Sequence, residues 1–217
     1  MSDSAIVVSS VTNRVVKNPL TVRQQRAGMA SLMTGDMPIY TTKGEVHGAL
    51  ALLDGKPRER CLLRAFWEWG PRRGEMLAVR VRDVNFSVQL VTLVTLKRRP
   101  KDPKCPPRRV LPVSGGLMGE IAHIIHLHKL EDGDRLFPWS ESRCHEIVRD
   151  ALLASGTSRE KCNCRAMRHG FAVNCVLQGM PLPVLQKLMG HASAMTTSIY
   201  IQVLGQDIAE FYRRIEF

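Results

Sequence analysis

Apolar residues recur at helical spacing through most of the chain after residue 41. The first such stretch follows a capping-box pattern, Thr42 with Glu45, which predicts a helix start. Its apolar members are Val46, Leu50, Leu52 and Leu53. The same spacing predicts further helices over 58–69, 73–79, 117–130, 141–153, 167–178 and 184–189. A last stripe predicts a helix over 207–217, which would dock on this chain or on a neighbouring copy.

Three shorter segments, 81–86, 90–96 and 110–113, are rich in β-branched or other apolar residues. This composition over four to seven residues is typical of strands. Because helical stretches outnumber these strands, the pattern predicts a mainly α-helical α+β fold with a small sheet.

The connection at residues 97–109, KRRPKDPKCPPRR, interrupts the apolar pattern. It carries four prolines and seven basic residues against one aspartate. The prolines exclude regular structure, so the segment is either a solvated charged loop or a stiffened basic hairpin that reaches toward phosphates. We favour the hairpin. Its candidate DNA-binding side chains are Arg98, Arg99, Lys101, Lys104, Arg108 and Arg109.

Residues 1–37 lack a strong apolar pattern and carry four scattered basic side chains. They are too few for a separate core-forming domain. Two interpretations stay open: a flexible basic arm that settles on DNA, and a disordered leader. The folded domain is expected over residues 38–217.

The charge balance narrows the class of partner. With 31 Lys and Arg against 20 Asp and Glu, the net charge of +11 favours a polyanion, nucleic acid first and an acidic membrane surface second. The longest apolar stretch, 88–96, is too short to span a bilayer, and the first residues do not form a secretory signal. We therefore expect a cytoplasmic, DNA-associated protein without membrane contact.

Six cysteines should be reduced thiols in that compartment. Cys162, Cys164 and His169 form a C-x-C-x4-H pattern, which lacks the second paired cluster typical of zinc sites. No metal is expected.

The segment over residues 164–203 reads CRAMRHGFAVNCVLQGMPLPVLQKLMGHASAMTTSIYIQV. Its Arg168-His169 pair, the Met-Gly-His at 189–191 and the Thr-Thr-Ser-Ile-Tyr at 196–200 resemble the C-terminal motif of tyrosine recombinases, also called phage integrases. Upstream, WGPRRGEMLAVRVRDV at 69–84 resembles the family's first arginine motif and places that arginine on Arg72 and its acidic partner on Glu75.

This resemblance implies a catalytic domain with a small antiparallel sheet and a covalent reaction at Tyr200. Arg72 and Arg168 would clamp the phosphate, since planar guanidiniums match phosphate geometry and balance its charge. His191 would donate to a phosphate oxygen. Lys97, with Lys101 as runner-up, would protonate the leaving 5′-oxygen. Glu75 and His169 would support these groups, and no cofactor is implied.

Two departures from the family pattern stand out. Arg165 occupies the position of the usual histidine, and an arginine cannot accept a proton near neutral pH. The residues before 38 are also too few for the family's usual N-terminal DNA-grasping domain, which predicts weaker, salt-sensitive binding.

The sequence thus predicts a site-specific DNA recombinase that forms a 3′-phosphotyrosine and assembles on duplex DNA as a homotetramer, with an accessory DNA-binding protein as a further candidate partner. Two alternatives remain: a non-catalytic or regulatory DNA-binding protein with the same fold, and a type IB topoisomerase-like nicking-closing enzyme. The target sequence cannot be inferred from the chain.

Overall fold

Seven α-helices account for most of the fold in the computed structural model, which describes residues 38–95 and 107–191 together with Tyr200. They are α1 (Lys43–Ala51), α2 (Pro57–Trp69), α3 (Arg73–Leu77), α4 (Gly115–His128), α5 (Glu141–Ala154), α6 (Cys164–Leu177) and α7 (Leu182–Met189). Two short 3₁₀ turns lie at Val81–Asp83 and Arg159–Lys161. The predicted helices over 42–191 are confirmed. The predicted helix at 207–217 and the segment 1–37 lie outside the described residues.

The cap residues explain where the helices start. At α1 the predicted capping box is present: Glu45 N–H donates to Thr42 Oγ1, and Thr42 N–H donates to the Glu45 carboxylate at 2.7 Å. Asn163 Oδ1 accepts from Ala166 N–H at 2.8 Å and starts α6 three residues earlier than the apolar pattern indicates. The site residues of α6 therefore all lie within its first two turns.

A three-stranded antiparallel sheet in the order β1-β2-β3 stands beside the helices. Its strands are β1 (Val84–Asn85), β2 (Leu90–Val94) and β3 (Arg108–Pro112). The small sheet is confirmed, but two predicted boundaries are wrong. The 3₁₀ turn replaces the start of the first strand. Arg108 and Arg109 pair with Val94 and Leu93 and belong to β3 instead of the connecting loop.

Helix α2 is the centre of the larger hydrophobic core and packs against α4 and α6. Its Leu62, Leu63, Phe66 and Trp69 are fully buried. Leu52, predicted to join the core from α1, is 59% exposed because α1 has already ended before it.

A second hydrophobic cluster forms at the other end of α6 and includes Tyr200. Its buried members are Phe171, Ala172, Val173, Cys175, Val176, Leu185, Met189 and Tyr200. The two clusters meet along α6, so this helix carries residues of both. None of the helices within the described ranges is long and apolar enough to cross a membrane.

Candidate active site

The sharp break between α2 and α3 places Arg72 at the edge of a cleft. Gly70 ends α2 with a left-handed φ of +54°, and a Cβ there would lie 2.2 Å from Phe171 Cδ1, so only glycine fits. Arg72 is the N-cap of α3. Its N–H donates to Glu75 Oε2 at 3.0 Å and its Nη1 donates to Glu75 Oε1 at 2.9 Å. The family-motif arginine and glutamate are thus joined directly.

Glu75 is fully buried and is held from a second side by Arg109. Arg109 Nη2 donates to Glu75 Oε2 at 2.7 Å, Nη1 donates to Thr95 Oγ1 at 3.1 Å, and Nε donates to the Leu188 carbonyl at 2.7 Å. Burial would raise the pKa of Glu75, but the hydrogen bonds and charges of Arg109 and Arg72 hold it below its usual value. Glu75 therefore stays ionised and ties α3, the sheet and α7 together.

The position of Arg109 in this network differs from the DNA contact predicted for it. The sequence placed Arg109 among DNA-contacting cations, whereas its buried guanidinium donates to Glu75, Thr95 and Leu188. Arg108 next to it is exposed and forms a long ion pair with Asp83, with Nη1 and Oδ1 3.9 Å apart. Side-chain alternation along β3 explains the difference, because neighbouring residues face opposite sides of a strand.

Arg168 lies in the first turns of α6, and two backbone carbonyls fix its guanidinium. Nη1 donates to the Gly70 carbonyl at 2.5 Å and Nη2 donates to the Met189 carbonyl at 2.7 Å. Burial, then the positive charge of Arg72, lowers the pKa of Arg168 to about 10, so it is still charged at neutral pH. Arg168 thereby connects the ends of α2 and α7 and carries its charge into the cleft between them.

His191 follows Gly190, the glycine that ends α7 with a φ of +64°. Its side chain is buried, and burial followed by the charges of Arg168 and Arg72 lowers the pKa of His191 to about 4. The imidazole is therefore neutral at pH 7 and has one N–H to donate.

Tyr200 is 1% exposed, and its hydroxyl lies 2.7 Å from Nδ1 of His169 on α6. Burial raises the pKa of Tyr200 to about 12, against the opposing effect of Arg168 and Arg165. Burial and the same two arginines lower the pKa of His169 to about 4. At neutral pH the pair therefore consists of a protonated phenol and a neutral imidazole.

These groups surround one open cleft of about 640 Å³. The sequence-predicted residues in its lining are Arg72, Arg165, Arg168, His169 and His191. Glu75 and Tyr200 lie behind this lining. Glu75 is hydrogen-bonded to Arg72, and the Tyr200 hydroxyl is hydrogen-bonded to His169. A cleft with four arginines in its lining is suited to a phosphodiester, since guanidinium groups offer both charge and hydrogen-bond donors.

The cleft lining also includes Arg73, Glu141 and His145, which the sequence motifs do not single out. Arg73 Nη2 and Glu141 Oε2 form an exposed ion pair at 2.5 Å. Glu141 and His145 are four residues apart on α5 and share a face, a spacing that could have indicated a common site. Nothing in the sequence indicates that this face is turned toward α3 and α6.

The other predicted cations (Lys97, Arg98, Arg99, Lys101 and Lys104) lie outside the described residues. Across the described ranges, no group of three or more His, Cys, Asp or Glu residues is arranged to hold a metal ion.

A mainly helical domain with a small sheet and an arginine-lined cleft beside a buried tyrosine is the arrangement expected of a phage integrase catalytic domain. Residues 40–206 match the phage integrase family, so the chain belongs to that family. It is 26% identical over 176 residues to a tyrosine recombinase of Pseudothermotoga lettingae, which covers 79% of this chain and 58% of the relative.

Solved structures agree on the fold. The crystal structure of XerA recombinase superimposes with a TM-score of 0.68 at 18% identity, covering 85% of this chain and 66% of that one. XerH site-specific recombinase bound to palindromic difH substrate, a post-cleavage complex, gives a TM-score of 0.68 at 20% identity, covering 82% of this chain and 54% of that one. The chain thus spans little more than half to two thirds of these relatives.

Proposed function

We propose that this protein is a site-specific DNA recombinase that cleaves and rejoins DNA strands through Tyr200. The observation that carries the proposal is the meeting of Arg72, Arg168 and His191 at one cleft, with the Tyr200 hydroxyl next to His169 at its wall. These residues come from three distant parts of the sequence. DNA as the partner is supported by the net charge of +11 and by the XerH structure, which is bound to its difH substrate.

In the proposed reaction a phosphodiester enters the cleft and is held by Arg72 and Arg168. Each guanidinium has five N–H donors. Among the described residues, Arg168 gives one N–H each to the carbonyls of Gly70 and Met189, which fix its plane for the phosphate. His191 donates its N–H to a phosphate oxygen, and exposed Arg165 adds charge at the rim. Together these donors balance the charge that develops on phosphorus oxygens in the transition state.

Tyr200 then attacks phosphorus. The Oη–P bond forms as the P–O5′ bond breaks, leaving a 3′-phosphotyrosine and a 5′-hydroxyl. Lys97 is proposed to protonate the leaving oxygen, with Lys101 as the alternative donor. The basic residues Arg98, Arg99, Lys104 and Arg108 would contact the backbone of duplex DNA. Attack by a 5′-hydroxyl on the phosphotyrosine reseals the strand without a cofactor, since the covalent bond conserves the energy.

The finer points of assembly belong to the same proposal. Exchange of strands between two sites requires two cleaving protomers at each site, so a homotetramer on DNA follows. An accessory DNA-binding protein would supply contacts beyond those of this domain.

A covalent-trapping experiment tests the proposal. Duplexes are selected from a random library for binding to the protein, incubated with it in EDTA without ATP, and denatured. We expect a protein–DNA adduct attached to the 3′ side of the break, which Tyr200→Phe abolishes. Tyr40→Phe is the matched control, because Tyr40 is a half-buried tyrosine outside the cleft lining.

The other outcomes discriminate between classes. Bound DNA without any adduct would contradict the proposal and favour the non-catalytic DNA-binding protein. An adduct with relaxation of supercoiled DNA by a monomer, and no strand exchange, would favour the topoisomerase-like enzyme.

A further inference from the structure

The hydroxyl of Tyr200 has a ring nitrogen as its partner. His169 Nδ1 lies 2.7 Å from Tyr200 Oη, with the two ring centroids 5.9 Å apart and the planes tilted by 52°. The distance is that of a good hydrogen bond. His169 is carried by α6, and the tyrosine side chain is enclosed by the second hydrophobic cluster. The proton between these two atoms is therefore shielded from bulk water.

The charges around the pair decide which atom holds this proton at rest. The positive charges of Arg165 and Arg168, both on α6, act on the His169 and Tyr200 side chains. His191, at the end of α7, interacts electrostatically with His169. Burial, then the charges of Arg165 and Arg168, lowers the pKa of His169 to about 4, and burial raises that of Tyr200 to about 12 against the opposing effect of the same two arginines. The phenol therefore keeps its proton and the imidazole is neutral. An imidazole that accepts from the phenol at Nδ1 carries its own hydrogen on Nε2.

The arginines of the cleft and Glu75 are less suited to accept this proton. Arg165 stands at the position of the family's usual histidine, and a guanidinium has no acceptor atom. Arg72 and Arg168 are excluded for the same reason. Glu75 is already occupied by Arg72 and Arg109 and is fully buried on the far side of Arg72.

We propose that His169 is a catalytic base, whose Nδ1 takes the Tyr200 proton as the Oη–P bond forms. This inference rests on the proposed function. The electron pair of the broken P–O5′ bond goes to the leaving oxygen, which is protonated separately by Lys97. In rejoining, the 5′-hydroxyl attacks phosphorus and returns its proton to Lys97, and the phenolate that leaves as the Oη–P bond breaks recovers its proton from His169. The imidazole thus ends each cycle neutral.

Binding of the substrate favours proton transfer from Tyr200 to His169. Burial is the main cause of the lowered pKa of His169, and repulsion by Arg165 and Arg168 adds to it. A phosphodiester in the cleft brings negative charge next to these two arginines and offsets the repulsion. Proton affinity of His169 therefore rises when DNA is bound. Without DNA the tyrosine keeps its proton and does not react with other electrophiles.

The first test replaces His169 by Asn, whose side chain can keep a hydrogen bond to Tyr200 but cannot take its proton. Single-turnover adduct formation is expected to fall by about 10²- to 10⁴-fold, the usual contribution of general acid–base catalysis. DNA binding and melting temperature should stay at wild-type values. His126→Asn, the same change at an exposed position of α4, should react at the wild-type rate.

A second variant separates proton transfer from positioning. A ring-fluorinated tyrosine at position 200 has a lower phenol pKa and needs a base less. It should restore most of the rate in His169→Asn and change the wild-type rate little. If His169→Asn slows the tyrosine and fluorotyrosine proteins equally, His169 is not a base and only positions Tyr200. A fully active His169→Asn protein would also overturn the proposal.

The failure of the proposed function would look different, because wild-type protein would then form no adduct at all on DNA that it binds. Should His169→Asn not fold, ¹⁵N spectra of the unaltered protein still decide. Hydrogen on Nε2 with an unprotonated Nδ1 supports the proposal, and hydrogen on Nδ1 overturns it.

Discussion

Two arginine–glutamate pairs flank the start of α3, and they differ mainly in burial. Arg109 and Glu75 are 2.7 Å apart, with side chains only 8% and 0% exposed. Arg73 and Glu141 are 2.5 Å apart, with side chains 38% and 60% exposed. The buried pair is surrounded by further donors from Arg72 and by acceptors on Thr95 and Leu188. The exposed pair competes with water on most sides.

Burial decides which of the two pairs holds the site residues in place. Inside the protein, removal of one charge leaves the other without water, so the two residues depend on each other. At the surface, solvent replaces a lost partner at little cost. The Glu75–Arg109 pair therefore fixes Arg72 and the end of α7, whereas the Arg73–Glu141 pair adjusts only the rim of the cleft.

The largest effect is expected for Arg109→Met, which keeps the volume and removes the charge. It leaves Glu75 buried with Arg72 as its remaining charged partner, and we expect a loss of about 3–5 kcal/mol in the free energy of unfolding. Guanidinium chloride denaturation followed by circular dichroism measures it.

A double replacement checks the reason. Glu75→Gln added to Arg109→Met removes the stranded charge but keeps an acceptor for the Arg72 N–H. The stability loss of the double variant should be smaller than the sum of the Arg109→Met and Glu75→Gln losses, by about 0.5–3 kcal/mol of coupling. Strictly additive losses would show that the two side chains do not depend on each other.

The fold was more predictable than the internal contacts of the site. Helix periodicity and the Thr42 capping box are local signals, and each predicted an element that is present. The start of α6 was misjudged because the cap at Asn163 comes before the apolar periodicity. The β3 boundary was misjudged because charge and proline in the preceding loop hid the pairing of Arg108 and Arg109.

For the site, the motifs predicted which residues would matter, and the structure adds how they are held. Arg72, Arg168 and His191 do line one cleft. The burial of Arg109 could not be predicted, since its charge gives no sign of a partner 34 residues away. The contact of His169 with Tyr200 spans 31 residues and depends on how α6 meets the second cluster. The catalytic roles of Arg72, Arg168, His191 and Tyr200, like that of Lys97, remain predictions.

The next largest effect is the loss of stability in acid. Buried histidines and the buried Glu75 reduce the free energy of unfolding in two different pH ranges. His169 and His191 have a pKa of about 4 in the folded protein, against about 6.5 when unfolded. Between these values the unfolded chain binds more protons, so stability falls as pH drops from about 6.5 toward 4. Glu75 has a lowered folded pKa, so its contribution is present above about 4.3 and is lost only as the pH falls below that.

Melting temperatures from pH 7 to 3 measure both windows. His191→Gln should flatten the decline between pH 6.5 and 4, and His126→Gln at the exposed surface of α4 should not. A wild-type melting temperature that stays constant over this range would contradict the burial argument for the histidines.

The smallest effect is expected at the exposed pair. Arg73→Ala and Glu141→Ala should each change the free energy of unfolding by no more than about 1 kcal/mol, and the difference should shrink further in 1 M salt because mobile ions screen exposed charges. Their effect on DNA should have opposite signs, since Arg73 adds positive charge to the cleft lining and Glu141 negative charge. Arg73→Ala should weaken binding and Glu141→Ala should strengthen it, in fluorescence titrations at low salt. A stability loss at Arg73 comparable to that of Arg109→Met would mean that hydrogen-bond geometry, rather than burial, sets the value of these pairs.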